Sequence, residues 1–328
     1  MSNRRQFIKT SAASAAALSV GALPAWAQAL PETARIIVGF PPGGTTDAFA
    51  RRVAQKLTGV LANNVIVENK PGAGGQLGVL TVKDANPDGL TLLYTPASMI
   101  TIYPHSYSKL AYKAEDIAPI TPGMATVHGF GVGPAVPDSV KNINDFIAWA
   151  KANPDKASVG NPGPGSMPHL LAETLSKQAS LRVINTPFPG SGPGILQLIG
   201  GQISAMSSPV GDYLQHVKSG KLRLLATSGP VRSQFAPDIA TYKEQGFGDL
   251  VVREWFGFFL PAKATAATRE KVNAALRSVL AQKEVVDSVL PLGIEVMSSS
   301  VAEFEALVKK DAELAGGMVK ALGFKADS

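Results

Sequence analysis

Ala34-Arg35-Ile36-Ile37-Val38-Gly39-Phe40-Pro41-Pro42-Gly43-Gly44-Thr45-Thr46-Asp47 runs from an apolar stretch through a loop of proline, glycine and small hydroxyls. Beyond it Phe49, Val53, Leu57 and Val60/Leu61 recur at a spacing of roughly three to four residues. A short apolar run bounded by turn residues reads as a buried strand, and that spacing reads as one face of a helix starting near Asp47. The same strand–loop–helix order returns along the chain. Val65–Glu68, Leu90–Thr95, Ile117–Ile120, Ala157–Gly160, Leu181–Asn185, Ile203–Ser207, Leu222–Thr227 and the aromatic Val251–Leu260 read as further strands. Helical windows fall at 143–152, capped by Asn142 and stopped at Pro154, and at 167–178, 193–199, 268–282 and 301–315. The last opens on the capping box Ser300-x-x-Glu303. Strands alternating with helices at this pitch predict parallel α/β sheets covered on both faces.

On such sheets ligands bind beyond the carboxyl ends of strands, where loops lead into helix N-termini. Here those loops are Phe40–Asp47, Thr95–Ser98, Asn161–His169, Phe188–Gly194 and Ser207–Asp212, and none contains lysine or arginine. A helix N-terminus presents unpaired backbone amides and a partial positive charge, enough to hold a carboxylate or phosphate. Glycine lets that backbone approach a ligand closely. Several such loops facing one cleft would bind a small anion through main-chain amides and hydroxyls. The residues singled out are Pro42, Gly43, Gly44, Thr45, Thr46 and Asp47 in the first loop, with Gly74, Gly75 and Ser98 beside it. From the later loops come Gly165, Ser166 and His169, then Gly190, Ser191 and Gly192, and finally Asp212. Two roles fit Asp47, capping its own helix or touching ligand, and two fit His169, donating to an anion or packing a helix end.

The chain of 328 residues is 45% hydrophobic and 17% charged, which excludes disorder and suits two domains better than one. Without cysteine there is no disulfide scaffold, cysteine–zinc site or thiol chemistry. Of the formal charge of +6, half belongs to Arg4, Arg5 and Lys9. These sit in Asn3-Arg4-Arg5-Gln6-Phe7-Ile8-Lys9, followed by an alanine-rich stretch from Ala12 to Leu23 and by Ala25-Trp26-Ala27. That is a twin-arginine signal peptide, residues 1–27, with a small-x-small cleavage site. The small remaining charge, without a basic run, argues against a nucleic-acid partner. No later stretch approaches the roughly 18 apolar residues of a membrane span. Neither a G-x-S-x-G elbow nor a phosphate loop occurs, and His105, His128, His169 and His216 show no metal-type spacing. No cofactor and no metal are expected.

The ordered motifs resemble one family, the periplasmic substrate-binding proteins of tripartite tricarboxylate transporters, also called the Bug family. They are Phe40-Pro-Pro-Gly-Gly-Thr-Thr-Asp-Ala-Phe-Ala-Arg51, Val67-Glu-Asn-Lys-Pro-Gly-Ala-Gly-Gly75, Asn86-Pro-Asp-Gly-Leu-Thr-Leu-Leu93 and Gly163-Pro-Gly-Ser-Met-Pro-His169. Gly190-Ser-Gly-Pro-Gly194 with Gly200-Gly-Gln202, Gly220-Lys-Leu-Arg-Leu-Leu-Ala226, Glu244-Gln-Gly246 and Trp255-Phe-Gly257 complete the series. The chain departs from the family at Ser204, where an aspartate is common, and at Asn185-Thr-Pro-Phe-Pro-Gly190, which lacks the usual Tyr-Lys pair.

The resemblance implies a two-lobed Venus flytrap, each lobe a mostly parallel sheet flanked by helices, joined by two crossover segments. Domain 1 is expected at 29–124 plus 254–328 and domain 2 at 125–253, with crossings near Gly123–Ala125 and Arg253–Trp255. The implied function is a monomeric, non-enzymatic periplasmic receptor that closes on a small organic carboxylate and delivers it to the membrane permease subunits of the transporter. Two alternatives stay open at this stage: a ligand sensor for a membrane signalling protein, and a hydrolase using Ser166 or Ser191.

Overall fold

The computed structural model describes residues 30–326; the leader at 1–27 lies outside the described residues. Two sheets organise the chain. The first has six strands in the order β11-β4-β10-β3-β1-β2: β1 (Thr33–Val38), β2 (Asn64–Asn69), β3 (Thr91–Pro96), β4 (Ile117–Thr126), β10 (Glu254–Pro261) and β11 (Glu295–Val296). The second has five in the order β7-β6-β8-β5-β9: β5 (His128–Val132), β6 (Ser158–Asn161), β7 (Ile184–Pro187), β8 (Ala205–Pro209) and β9 (Arg223–Thr227).

Helices cover both faces of each sheet, as alternation along the buried strands demands. In β1, Ile36 and Val38 point into a core shared with Phe49, Val53 and Leu57 of α1 (Thr45–Leu57). Ile37 points the other way, toward Val79 and Val82 of α2 (Gln76–Lys83). Two very short helices, α3 (Ser98–Thr101) and α4 (Tyr103–Ser106), follow β3. The second sheet is sandwiched between α5 (Ile143–Ala152) with α6 (Met167–Gln178) on one side and α7 (Ser191–Ile199) on the other. A short helix, α8 (Leu214–Lys218), precedes β9. The C-terminal part returns α9 (Ala266–Leu280), α10 (Lys283–Val289) and α11 (Val301–Leu322) to the first sheet.

The chain changes sheets at Val127, between β4 and β5, and again between β9 and β10. Gly123–Ala125 lie inside β4, one turn of chain before the change. The strand laid down after each change, β5 in one sheet and β10 in the other, runs antiparallel to both neighbours, in sheets otherwise parallel apart from short β11. Ser228 ties the two passages together: its hydroxyl accepts from His128 N at 2.9 Å and donates to Val252 O at 2.7 Å.

Most predicted elements appear within a few residues of their expected ends, and the exceptions have local causes. Helix α1 stops at Leu57 instead of Leu61 because the chain turns at Gly59, whose φ of +80° is left-handed. Strand β5, His128-Gly-Phe-Gly-Val132, is not recognisable from pattern because two glycines look like a turn. Packing explains them. A Cβ on Gly131 would stand 2.3 Å from Cε1 of Tyr213, a ring held in place by its hydroxyl donating to Met206 O at 2.6 Å. Gly131→Ala therefore must displace a buried ring, and we expect a loss of about 1–3 kcal/mol of stability in urea denaturation. A variant as stable as the parent would show that Tyr213 is free to move.

Candidate functional site

The turns that follow β1 and β7 face each other across the gap between the lobes. Helix α1 starts after Gly44 and α7 after Gly190, and neither N-terminus has a side-chain cap. Their first turns come close: a Cβ on Gly44 would lie 4.0 Å from Cβ of Ser191. Around this junction is a narrow cleft, lined by Gly44, Thr46, Asp47 and Ser98 from one lobe and by Ser166, Gly190, Ser191 and Gly192 from the other. Its floor is mostly apolar, with Phe40, Met99, Phe256 and several prolines. No lysine or arginine lines it.

Eight of the sequence-predicted residues thus share one cleft, and eight do not line it. Pro42, Gly43, Thr45 and Asp212 lie on the outer side of the same junction. Asp212 bridges the lobes there. Its Oδ1 accepts from Thr45 N at 3.1 Å and from Thr45 Oγ1 at 2.6 Å, while Oδ2 accepts from Ser208 Oγ at 2.6 Å. A side-chain carboxylate from the second lobe thereby takes the first free amide of α1, the kind of partner that amide seeks.

Gly74, Gly75, Gly165 and His169 shape the loops from behind. Gly75 adopts φ +100°, and a Cβ on neighbouring Gly39 would meet its carbonyl oxygen at 2.5 Å, so both positions need glycine. Tyr103 holds this turn by donating to Gly74 O at 2.9 Å. His169 is buried, and its Nδ1 accepts from Gly165 N at 3.0 Å. Its Nε2 faces Asn185 Nδ2 at 2.5 Å and Glu173 Oε1 at 3.4 Å, and Phe324 packs edge-on against the ring. Of its two expected roles, helix-end packing is the one the ring occupies.

Asp47 is likewise engaged within the protein. It sits in the first turn of α1, 4% exposed, accepting from Gly43 N at 3.1 Å and from Asn69 Nδ2 at 2.9 Å. Arg51 reaches it through Nε at 3.0 Å and Nη2 at 2.9 Å. Burial alone raises the Asp47 carboxyl, but the bonds from Arg51, Asn69 and Gly43 outweigh it and hold it below the usual carboxylate range. Asn69 also donates to Phe40 O at 2.9 Å, so the end of β2 sets the path of the first loop. Asn69 was visible in the sequence only as part of a motif, with no signal for this contact.

Sequence reasoning also missed Glu254 and His128, both buried and both lining the cleft. Neither lies in the strand-to-helix loops singled out from the sequence; only the two sheet changes bring them together. Neither Ser166 nor Ser191 is hydrogen-bonded to a histidine side chain among the described residues; the Ser166 hydroxyl accepts from the His169 backbone at 3.4 Å. Nucleophile activation needs such a base.

Residues 49–324 match the tripartite tricarboxylate transporter family receptor, and residues 1–21 match a twin-arginine translocation signal sequence. A UPF0065 protein in the gbd 5′ region of Cupriavidus necator is 33% identical over 94% of this chain and 95% of its own length. The structure of the periplasmic binding protein BugD superposes with a TM-score of 0.84 at 28% identity, covering 90% of this chain and 98% of BugD. MatC of Rhodopseudomonas palustris, solved with bound malate, gives 0.82 at 25% identity over 88% of this chain and 99% of MatC. The chain belongs to the tripartite tricarboxylate transporter receptor family, whose members are binding proteins and not enzymes. It carries a twin-arginine signal and is exported to the periplasm.

Two outcomes follow from this geometry. Asp212→Ala removes the bridge to Thr45, so small-angle scattering of the unliganded protein should show a larger radius of gyration than the parent; identical curves would show that other contacts hold the lobes. Because the folded-state pKa of Asp47 is depressed, its stabilisation is full above the unfolded value of about 3.9 and is lost as pH falls through the lower folded value. Arg51→Ala leaves the burial and removes the counter-charge, so the folded-state pKa moves up toward or past the unfolded one and the acid-induced loss due to Asp47 should shrink in urea titrations. Superimposable pH profiles for the two proteins would refute the assigned role of Arg51.

Proposed function

We propose that this member of the tripartite tricarboxylate transporter receptor family captures a small organic carboxylate in the cleft between its lobes and delivers it to the permease subunits of such a transporter. The observation that carries the reading is the convergence of two helix N-termini, from opposite lobes and each begun on a glycine that offers no capping side chain, on a cleft with no lysine or arginine. Backbone amides and hydroxyls are then the groups that meet the ligand's charge, with Gly44 and Thr46 on one side and Ser166, Ser191 and Gly192 on the other. The six-stranded sheet with its helices serves as one lobe and the five-stranded sheet with its helices as the other, the chain passing between them at Val127 and again between β9 and β10. The ligand contacts both, so binding favours closure over the open form. The malate held by the related MatC supports a carboxylate as the ligand class.

A thermal-shift screen of organic acids tests the reading, since a ligand at 100 times its Kd adds about 2.7 kcal/mol. No shift with any carboxylate would remove it. With a binding acid in hand, calorimetry should rank the variants. Gly44→Val should abolish binding and leave the fold intact, because a branched side chain would fill the space before Ser191. Ser191→Ala should lose about 1.5–3 kcal/mol, the worth of a hydrogen bond to a charged group. Tolerance of Gly44→Val would mean that side chains, and not the backbone, hold the carboxylate.

A further inference from the structure

Glu254 and His128 are buried side chains that line the cleft, where an anion receptor would be expected to place a lysine or arginine. Glu254 begins β10 and His128 begins β5, so each stands where the chain has just entered a new sheet. Glu254 is 3% exposed and His128 1%. Oε1 of Glu254 accepts from Ser98 N at 3.1 Å and from Ser98 Oγ at 2.5 Å. Its Oε2 lies 3.0 Å from His128 Nε2, but the approach is too poorly aligned for a hydrogen bond, and both imidazole nitrogens lack a partner. Both side chains line the cleft, and no lysine or arginine does.

Buried polar atoms in a native protein are satisfied as a rule, because each unmet one costs its desolvation. Here the unmet groups border the space a ligand would fill. We infer that His128 and Glu254 read the end of the ligand remote from its carboxylate and select a hydrogen-bond donor there, a hydroxyl or an ammonium group, against a second carboxylate. Oε2 of Glu254 accepts no hydrogen bond from the described residues and can take a donor, whereas a second carboxylate at this end would set acceptor against acceptor with no lysine or arginine to offset it. Rejection by an unpaired or repelling charge is the stronger half of such discrimination. The rest of the lining includes Phe40, Met99, Phe256, Pro96 and Pro209, which suits a hydrocarbon body. The preferred ligand is therefore a hydroxy- or amino-substituted monocarboxylate. This assignment rests on the carboxylate-receptor reading and narrows it.

Calorimetry with acids of matched length tests it: hexanoate, ω-hydroxyhexanoate, ω-aminohexanoate and adipate, together with the shorter homologues of each. The parent protein should bind the best hydroxy or amino acid at least about tenfold more tightly than the diacid of the same length. Which of the two substituted series leads tells hydroxyl from ammonium. Glu254→Gln removes the repelling charge and adds a donor, so it should narrow or invert that gap and leave affinity for the plain monoacid nearly unchanged. A merely structural role for Glu254 would weaken all four acids alike. Should Glu254→Gln not fold, the ranking in the parent decides alone. A diacid binding as tightly as its substituted counterparts in the parent, or a ranking unmoved in the variant, overturns the inference while sparing the carboxylate reading. If none of the acids binds, monoacids included, both fall together.

Discussion

The first amides of a helix have no partner inside the helix, and this protein is arranged around two sets of them. Helices α1 and α7 begin on glycine without a side-chain cap, each at the carboxyl end of a strand. Their lobes face, so the two N-termini meet at one gap. A cation would have been the simpler means of holding an anion. With no lysine or arginine lining the cleft, the proposed function assigns recognition to groups that are fixed by the fold itself and that lose little freedom when they bind.

The surroundings of α1 show what such an arrangement requires. Asp47, within the first turn, could have competed with a ligand for the amides. It is drawn instead to Arg51, Asn69 and the Gly43 amide, and so helps hold the loop. Asp212 has the opposite relation to the helix. It crosses from the other lobe and takes the Thr45 amide and hydroxyl, so the lobes are fastened by the chemistry that binds carboxylates. In the proposed function, closure of the lobes and retention of a ligand draw on the same helix end. Behind this junction, Ser228 hydrogen-bonds both passages between the sheets and fixes where His128 can stand.

Much of the architecture was legible because local rules agreed with the global fold. The apolar runs of β1 and β3, the capped starts of α5, α6 and α11, and the motif series all pointed one way. The misreadings occurred where packing overrode local pattern. His128-Gly-Phe-Gly-Val132 is a strand because Tyr213 covers its glycines, a fact no window of sequence contains. Helix α11 runs on through Gly316 and Gly317 to Leu322, and at Gly316 the missing side chain leaves room for His105, a Cβ there lying 3.1 Å from the ring.

What the sequence determined by itself was the alternation of strands and helices, the export signal, and the placing of glycine, proline and hydroxyls without cations at the turns. Each of these depends on residues within a few positions of one another, where spacing and backbone preference act directly. What only the tertiary structure decided was which turns share the cleft. Gly44, Thr46, Ser166, Ser191 and Gly192 line it, while Gly74, Gly75, Gly165 and His169 support it from behind. The meeting of Glu254 with His128 is likewise tertiary, since it depends on the order of strands in two sheets and on the passages between them. Such order is set by burial of apolar surface over whole lobes, and burial carries no mark at the individual residues it brings together.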